Sequence, residues 1–255
     1  MNLEKAKQEF MEYTSNYDAN NASIARKIGH SIRVMEISGE IAKYLNLNNE
    51  QIELAKMIGL LHDIARFEQM KRYGTFKDSK SCDHGDLGVQ LLEQDEFIRK
   101  FVKEDKYDRM ILIAIKNHNK YKIEENLNEE ELLFSKIIRD ADKLDIMYEG
   151  VEMFWKDEQE LKEVEESDIT KEVYNQFIGN QTINRKFGKL PADRLVCFLG
   201  FIFDINYKYD FKVIKQEDYI NKILNRFNFK HREKFEKVRE IANKYIKTKI
   251  EDDKN

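Results

Sequence analysis

The segment Leu60-Leu61-His62-Asp63-Ile64-Ala65-Arg66 sets a histidine and an aspartate side by side at the end of an apolar run. Upstream, Ile52, Ala55, Ile58 and Gly59 recur at helical steps, and Asn48 or Asn49 offers an N-cap. A helix is therefore predicted from about residue 49 to His62. Its apolar face ends in two groups that water solvates strongly. A buried carboxylate is unfavourable unless it is paired or holds a cation. The helix that ends in this dipeptide is thus expected to meet other helices there, and to bring polar partners with them.

The rest of the chain reads as helical too. It has 255 residues with one proline, Pro191, and 10 glycines. At ~5% usage a chain of this length would carry about thirteen prolines. So few breakers, with abundant Lys, Glu, Ile and Leu, predict an all-α protein. Charged residues make up 36%, and the 41% apolar share still builds a core. Helical patterns start at Leu3, fading near 18–21, and recur over Ser23–Leu45, His84–Leu92, Asp108–Asn117 and Glu129–Glu149. The polar stretch Tyr73–Asp83 reads as irregular.

After Gly150 the character changes. Lys156–Asp168 is nearly solid charge and reads as a solvated helix or mobile connector. Pro191 and Asp193 are expected to mark a fresh start, where Pro191 ends one segment and the apolar run Leu195–Ile205 begins. Phe198, Phe201, Phe203, Tyr207, Tyr209 and Phe211 read as core packing. A last amphipathic helix, Lys230–Lys247, leads to the charged tail Glu251–Asn255. The expected organisation is a helical core over residues 1–150 and a helical extension, 151–255, packed on it.

Several classes are disfavoured. The net charge of −4 argues against duplex nucleic acid as a partner, because duplex binding needs a basic face. Cys82 and Cys197 show no zinc or redox spacing and read as two reduced thiols. The N-terminal stretch has acids and no apolar run, unlike a signal peptide. The longest apolar run, Val196–Phe203, falls far short of a membrane span of ~18–20 residues. A cytoplasmic protein without a membrane partner is the expectation; a homo-oligomer is left open.

There are five histidines: His30, His62, His84, His118 and His231. All but the last fall in the first half, at or inside predicted helices. A second acidic cluster, Arg139-Asp140-Ala141-Asp142-Lys143-Leu144-Asp145, lies in an apolar helical face. Each has an ordinary explanation alone. His30 suits a satisfied core position, His62 with Asp63 a hydrogen-bonded pair, and His84 an exposed helix start. His118 suits a helix C-cap, and Asp140 and Asp142 suit ion pairs with Arg139 and Lys143. Imidazoles and carboxylates together form a ligand mix suited to transition-metal ions.

Taken in order, these residues resemble the HD superfamily of metal-dependent phosphohydrolases. The resemblance lies in Gly29-His30-Ser31, Leu61-His62-Asp63-Ile64 and Asp140-Ala141-Asp142-Lys143-Leu144, with His84 and His118 between, and covers about residues 20–150. It implies an HD-domain helical bundle with a C-terminal helical extension. It implies a metal held by His30, His62, Asp63 and Asp142, with Asp142 preferred to Asp140 as the aspartate that follows Ala141. His84 and His118 would hold a second metal with Asp63, or bind substrate phosphate. The implied cofactor is one or two divalent ions per chain, drawn from Mn, Fe, Co, Ni, Zn or Mg, with one the expectation.

The activity implied is hydrolysis of a phosphate ester or anhydride. Asp63 is expected to orient the attacking water, and Arg66 and Lys143 to reach phosphate oxygens; an ion pair with Glu68 or Asp140 is the alternative for those two. The loop Tyr73–Asp83, with Lys71, Arg72, Thr75 and Lys77 beside aromatic Tyr73 and Phe76, suits either a base-stacking, phosphate-holding loop or a plain surface loop. The acidic pair after HD of the alarmone hydrolases is replaced by Ile64-Ala65-Arg66-Phe67, and the Gly-Tyr-Pro motif of cyclic-dinucleotide phosphodiesterases is absent. The long glycine- and proline-rich segment of the deoxynucleoside triphosphohydrolases is absent too. A small phosphorylated molecule, foremost a nucleotide, is the expected substrate. A degenerate HD domain serving as a nucleotide-binding or protein-interaction module is the alternative.

Overall fold

Asparagine and aspartate caps decide where the first helices begin. The computed structural model describes residues 1–18 and 20–252, so tail residues 253–255 lie outside the described residues. Asn2 opens α1 (Leu3–Thr14), and Asn21 opens α2 (Ala22–Tyr44) by accepting from the Ser23 and Ile24 amides. Asn48 and Gln51 form a reciprocal capping box at the start of α3 (Asn49–Leu61). His62 is the C-cap of α3, and the chain turns once before α4 (Ala65–Tyr73). That turn keeps αR dihedrals at His62 and Ile64, so the axis is redirected without a long loop. Gly74, at φ 65°, ends α4 in the left-handed conformation that glycine adopts without strain.

The stretch 73–83 is irregular, as its composition predicts, apart from one 3-10 turn at Asp78–Lys80. Asp83 then caps α5 (His84–Glu93), which places His84 at the first helical position. α6 (Asp108–Asn117) ends with His118 as its C-cap, and α7 spans Glu129–Glu152. No strand occurs among the described residues.

The chain divides into two compact units, Met1–Asp145 and Ile146–Asn255. In the first, α2 lies along α3, and α6 packs on both α3 and α5. A Cβ at Gly59 would stand 2.8 Å from the Val34 carbonyl and the Met35 Cα, so only glycine allows α2 and α3 this close. Leu60, Leu61, Ile64, Phe67, Ile111, Phe134 and Ile138 are fully buried.

The second unit holds α8 (Glu158–Glu166), α9 (Lys171–Ile178), α10 (Pro191–Leu199), α11 (Lys208–Gln216), α12 (Tyr219–Leu224) and α13 (Arg232–Glu251). The charged run 156–168 folds mostly as α8, capped by Asp157 and anchored by buried Val164. Pro191 starts α10, at the fresh start its sequence position suggests. Its fixed φ suits the first helical position, where its missing N–H has no partner to lose. Of the aromatic run, Phe198 and Phe211 are buried. The last helix starts and stops later than its periodicity suggests. Within this unit the buried Asp193 carboxylate accepts from the Thr170 hydroxyl and from the amides of Thr170, Lys189 and Leu190. Among the described residues no helix is long and apolar enough to cross a membrane.

Candidate metal centre

Three helices and a turn converge on one buried point in the first unit. α2 supplies His30, the C-cap of α3 His62, the following turn Asp63, and α7 Asp142. His30 Nε2 lies 3.2 Å from His62 Nε2, 3.1 Å from Asp142 Oδ1 and 3.5 Å from Asp63 Oδ2. His62 Nε2 lies 3.5 Å from Asp63 Oδ2 and 3.7 Å from Asp142 Oδ1. Donors about 2.1 Å from a common centre and so spaced would subtend angles of about 95–125°, within the range a transition ion accepts.

The other oxygen of Asp63 faces a second set. Asp63 Oδ1 lies 3.4 Å from His84 Nε2 and 3.7 Å from His118 Nε2, and these two nitrogens are 2.9 Å apart. One carboxylate therefore stands between two groups of imidazole donors. His30, His62, His84, His118 and Asp63 are all buried.

The outer nitrogens explain why the inner ones point inward. His30 Nδ1 bonds Asp145 Oδ2 at 2.6 Å, and His62 Nδ1 donates to the Gly59 carbonyl at 2.7 Å. His84 Nδ1 bonds Asp78 Oδ2, and His118 Nδ1 donates to the Ile115 carbonyl, both at 2.6 Å. Each acceptor places the proton on Nδ1, which leaves the Nε2 lone pair facing its neighbours. Facing lone pairs repel unless a cation lies between them. The donor set therefore fits a divalent ion, and two of them with Asp63 shared.

The charges agree. Burial alone would raise the Asp63 carboxyl, but Lys27, His62 and Arg66 outweigh it and hold Asp63 well below the usual carboxylate range. Asp142 is likewise held down, against burial, by His30 and His62. Burial pushes His84 down to about 4, so its imidazole is neutral at pH 7. Burial also lowers His62. His30 moves the other way: burial and Lys27 oppose its charge, but Asp142 and Asp145 favour it more.

Arg66 and Lys143 sit beside the centre with protein acceptors. Arg66 Nη1 donates to Asp78 Oδ1 at 2.9 Å, the Phe76 carbonyl at 2.7 Å and Gln69 Oε1 at 2.8 Å, while its Nε faces Asp63 Oδ1 at 3.3 Å. The alternative acid, Glu68, is bound instead to Arg72 and Tyr17. Lys143 is buried, and its Nζ donates to the Arg139 carbonyl at 3.2 Å. Asp140 is also buried. His231 belongs to the second unit.

Sequence reading passed over four contributors. Asp145, seen only as part of an acidic cluster, orients His30 and is gripped by Arg33 at 2.5 and 2.9 Å. Asp78 orients His84. Arg139 donates to the carbonyls of Asn117 and Lys120 at 2.8 and 2.6 Å, which clamps the chain on either side of His118. Lys27 places its Nζ 2.5 Å from Asp63 Oδ2. Helical spacing offered a signal for Lys27, one turn before His30, and for Arg139 and Asp145, one turn either side of Asp142, but none for Asp78.

Residues 28–147 match the family described as HD domain. No curated protein and no solved structure matches the chain.

Proposed function

Residues 28–147 are an HD domain, which places the chain in the HD superfamily, and on that footing we propose that it is a metal-dependent phosphohydrolase with a two-ion centre. The observation that carries the reading is the sharing of Asp63 between two inward-facing imidazole pairs. Its substrate is a small phosphorylated molecule, with nucleotides foremost.

A divalent ion held there acidifies water in its shell toward a pKa of about 7 and withdraws charge from a phosphoryl oxygen. The chain does the rest. Asp145, Gly59, Asp78 and Ile115 hold the four rings in register. Asp63 fixes the separation of the two donor groups. Arg66 ties Asp63 to Asp78 and so joins the turn after α3 to the segment before α5. Most of the centre is sealed. Its exposed edges are Asp142, with 16% of its side chain open, and Asp78, with 33%. Substrate approaches along that edge, and the closed side excludes bulk water from the reacting phosphorus.

The test joins metal analysis of freshly purified protein to a phosphatase screen. Nucleotides and sugar phosphates are offered with Mn, Co, Ni and Mg in turn. Near-stoichiometric transition metal with phosphate release supports the reading. Metal without turnover on any substrate points to a binding module, and absence of both rejects the metal centre.

A further inference from the structure

Lys27 is a cation already seated on the oxygen a metal would need. Its Nζ lies 2.5 Å from Asp63 Oδ2, the oxygen that faces His30 and His62. Lys27 is 8% exposed, and Asp63 is its one ion-pair partner among the described residues. Residue 27 precedes the segment matched to the HD family.

Two cations cannot share one carboxylate oxygen without strong repulsion in a buried site. Charges around the centre make the conflict sharper. Asp63, Asp78, Asp142 and Asp145 are matched by Lys27, Arg33, Arg66 and the buried Lys143, which leaves no net charge with neutral imidazoles. One divalent ion turns that balance positive, and a second makes it more so. A loaded centre thus lacks anions, and Lys27 lacks its partner. A phosphate dianion answers both needs. The lysine stem is flexible enough to swing its ammonium from one oxygen to another.

We propose that Lys27 couples metal to phosphate: it neutralises Asp63 in the metal-free protein and moves to a phosphate oxygen when a divalent ion takes Asp63 Oδ2. This rests on the metal centre described above. It follows that metal and phosphate bind cooperatively, and by linkage each raises the affinity of the other equally.

The experiment is calorimetric titration of Mn2+ into the full-length metal-free protein, with and without inorganic phosphate. In the wild type, phosphate should tighten Mn2+ at least about fivefold, the lower end of ordinary coupling. Lys27→Gln removes the competing ammonium. It should bind Mn2+ alone roughly tenfold more tightly and lose the phosphate effect to within about twofold. Lys27→Arg keeps the charge and should keep the coupling. Absence of a phosphate effect in the wild type overturns the proposal even if Lys27→Gln does not fold. So does an unchanged phosphate effect in folded Lys27→Gln, or Mn2+ affinity there no tighter than wild type. A wild type that takes up no Mn2+ at all strikes the metal centre itself, a separate result.

Discussion

His84 and His118 face each other through their Nε2 atoms at 2.9 Å, while the Nδ1 atoms of both rings are bonded to Asp78 and Ile115. The same arrangement recurs at His30 and His62, 3.2 Å apart. Neither contact is explained by an ordinary hydrogen bond between neutral rings, since both protons are drawn outward. Inward-facing donors of this kind are the groups that could hold a metal ion.

Substitutions should therefore sort by site. His62→Ala and Asp142→Ala should each empty the first position, and His84→Ala and His118→Ala the second. Asp63→Ala should reduce both. Elemental analysis of each variant, after exchange into buffer with equal trace metal, reads this out. Equal metal content in Asp63→Ala and wild type would reject a shared ligand.

Arg66 should behave as a positioning residue. Arg66→Lys cannot span Asp63, Asp78, Gln69 and the Phe76 carbonyl at once, because it lacks the planar fork. Loss of such outer support around a ligand costs about 10–100-fold in metal affinity or activity. Asp78→Asn should lower second-site metal affinity by a similar factor. A phosphate-binding Arg66 would instead leave metal affinity intact and lower kcat/KM alone.

Gly59→Ala tests the closeness of α2 and α3. Its Cβ would meet backbone atoms of Val34 and Met35 at 2.8 Å, which flexible side chains cannot relieve. Overpacking of this kind costs about 1–3 kcal/mol. Because the Gly59 carbonyl also holds His62, metal content should fall together with the melting temperature. A variant as stable as wild type would show that the two helices separate readily.

Acid should destabilise the metal-free protein in two steps. His84 is lowered to about 4, chiefly by burial, whereas its unfolded value is about 6.5. A base depressed on folding contributes stability that is complete above the unfolded value and lost as pH falls toward the folded one. Between about pH 6.5 and 4 this removes up to roughly 3 kcal/mol. His30, raised on folding, acts oppositely: its contribution is complete below about 6.5 and lost as pH rises. Below about pH 4 a second loss follows. Asp78 and Asp145 are held down, against burial, by His84 with Arg66 and by His30 with Arg33 respectively. Denaturant midpoints from pH 7 to 3 measure both steps, and His84→Gln should flatten the first. A slope unchanged by that variant would contradict the assignment to His84.

Much of this was legible along the chain. One proline, few glycines and apolar steps of three and four specify helices, because helix formation answers to local propensity and one-dimensional periodicity. The order of His30, His62, Asp63 and Asp142, with His84 and His118 between, carried the family resemblance for the same reason: it is a linear pattern. The turn at 62–64 was less visible, since a single residue's dihedrals decide it.

What periodicity cannot state is how far one helix stands from another. The 2.8 Å fit at Gly59 sets the approach of α2 to α3, and only then do His30 and His62 meet. Tertiary packing alone decided that the two Asp63 oxygens face different imidazole pairs, and that Asp145 and Asp78 orient His30 and His84. It also decided that Arg66 grips carboxylates and that Lys27 rests on Asp63. These partners lie far apart in sequence or across a turn, and hydrogen bonds act over about 3 Å, so the residue types came from the chain and their pairings from the fold.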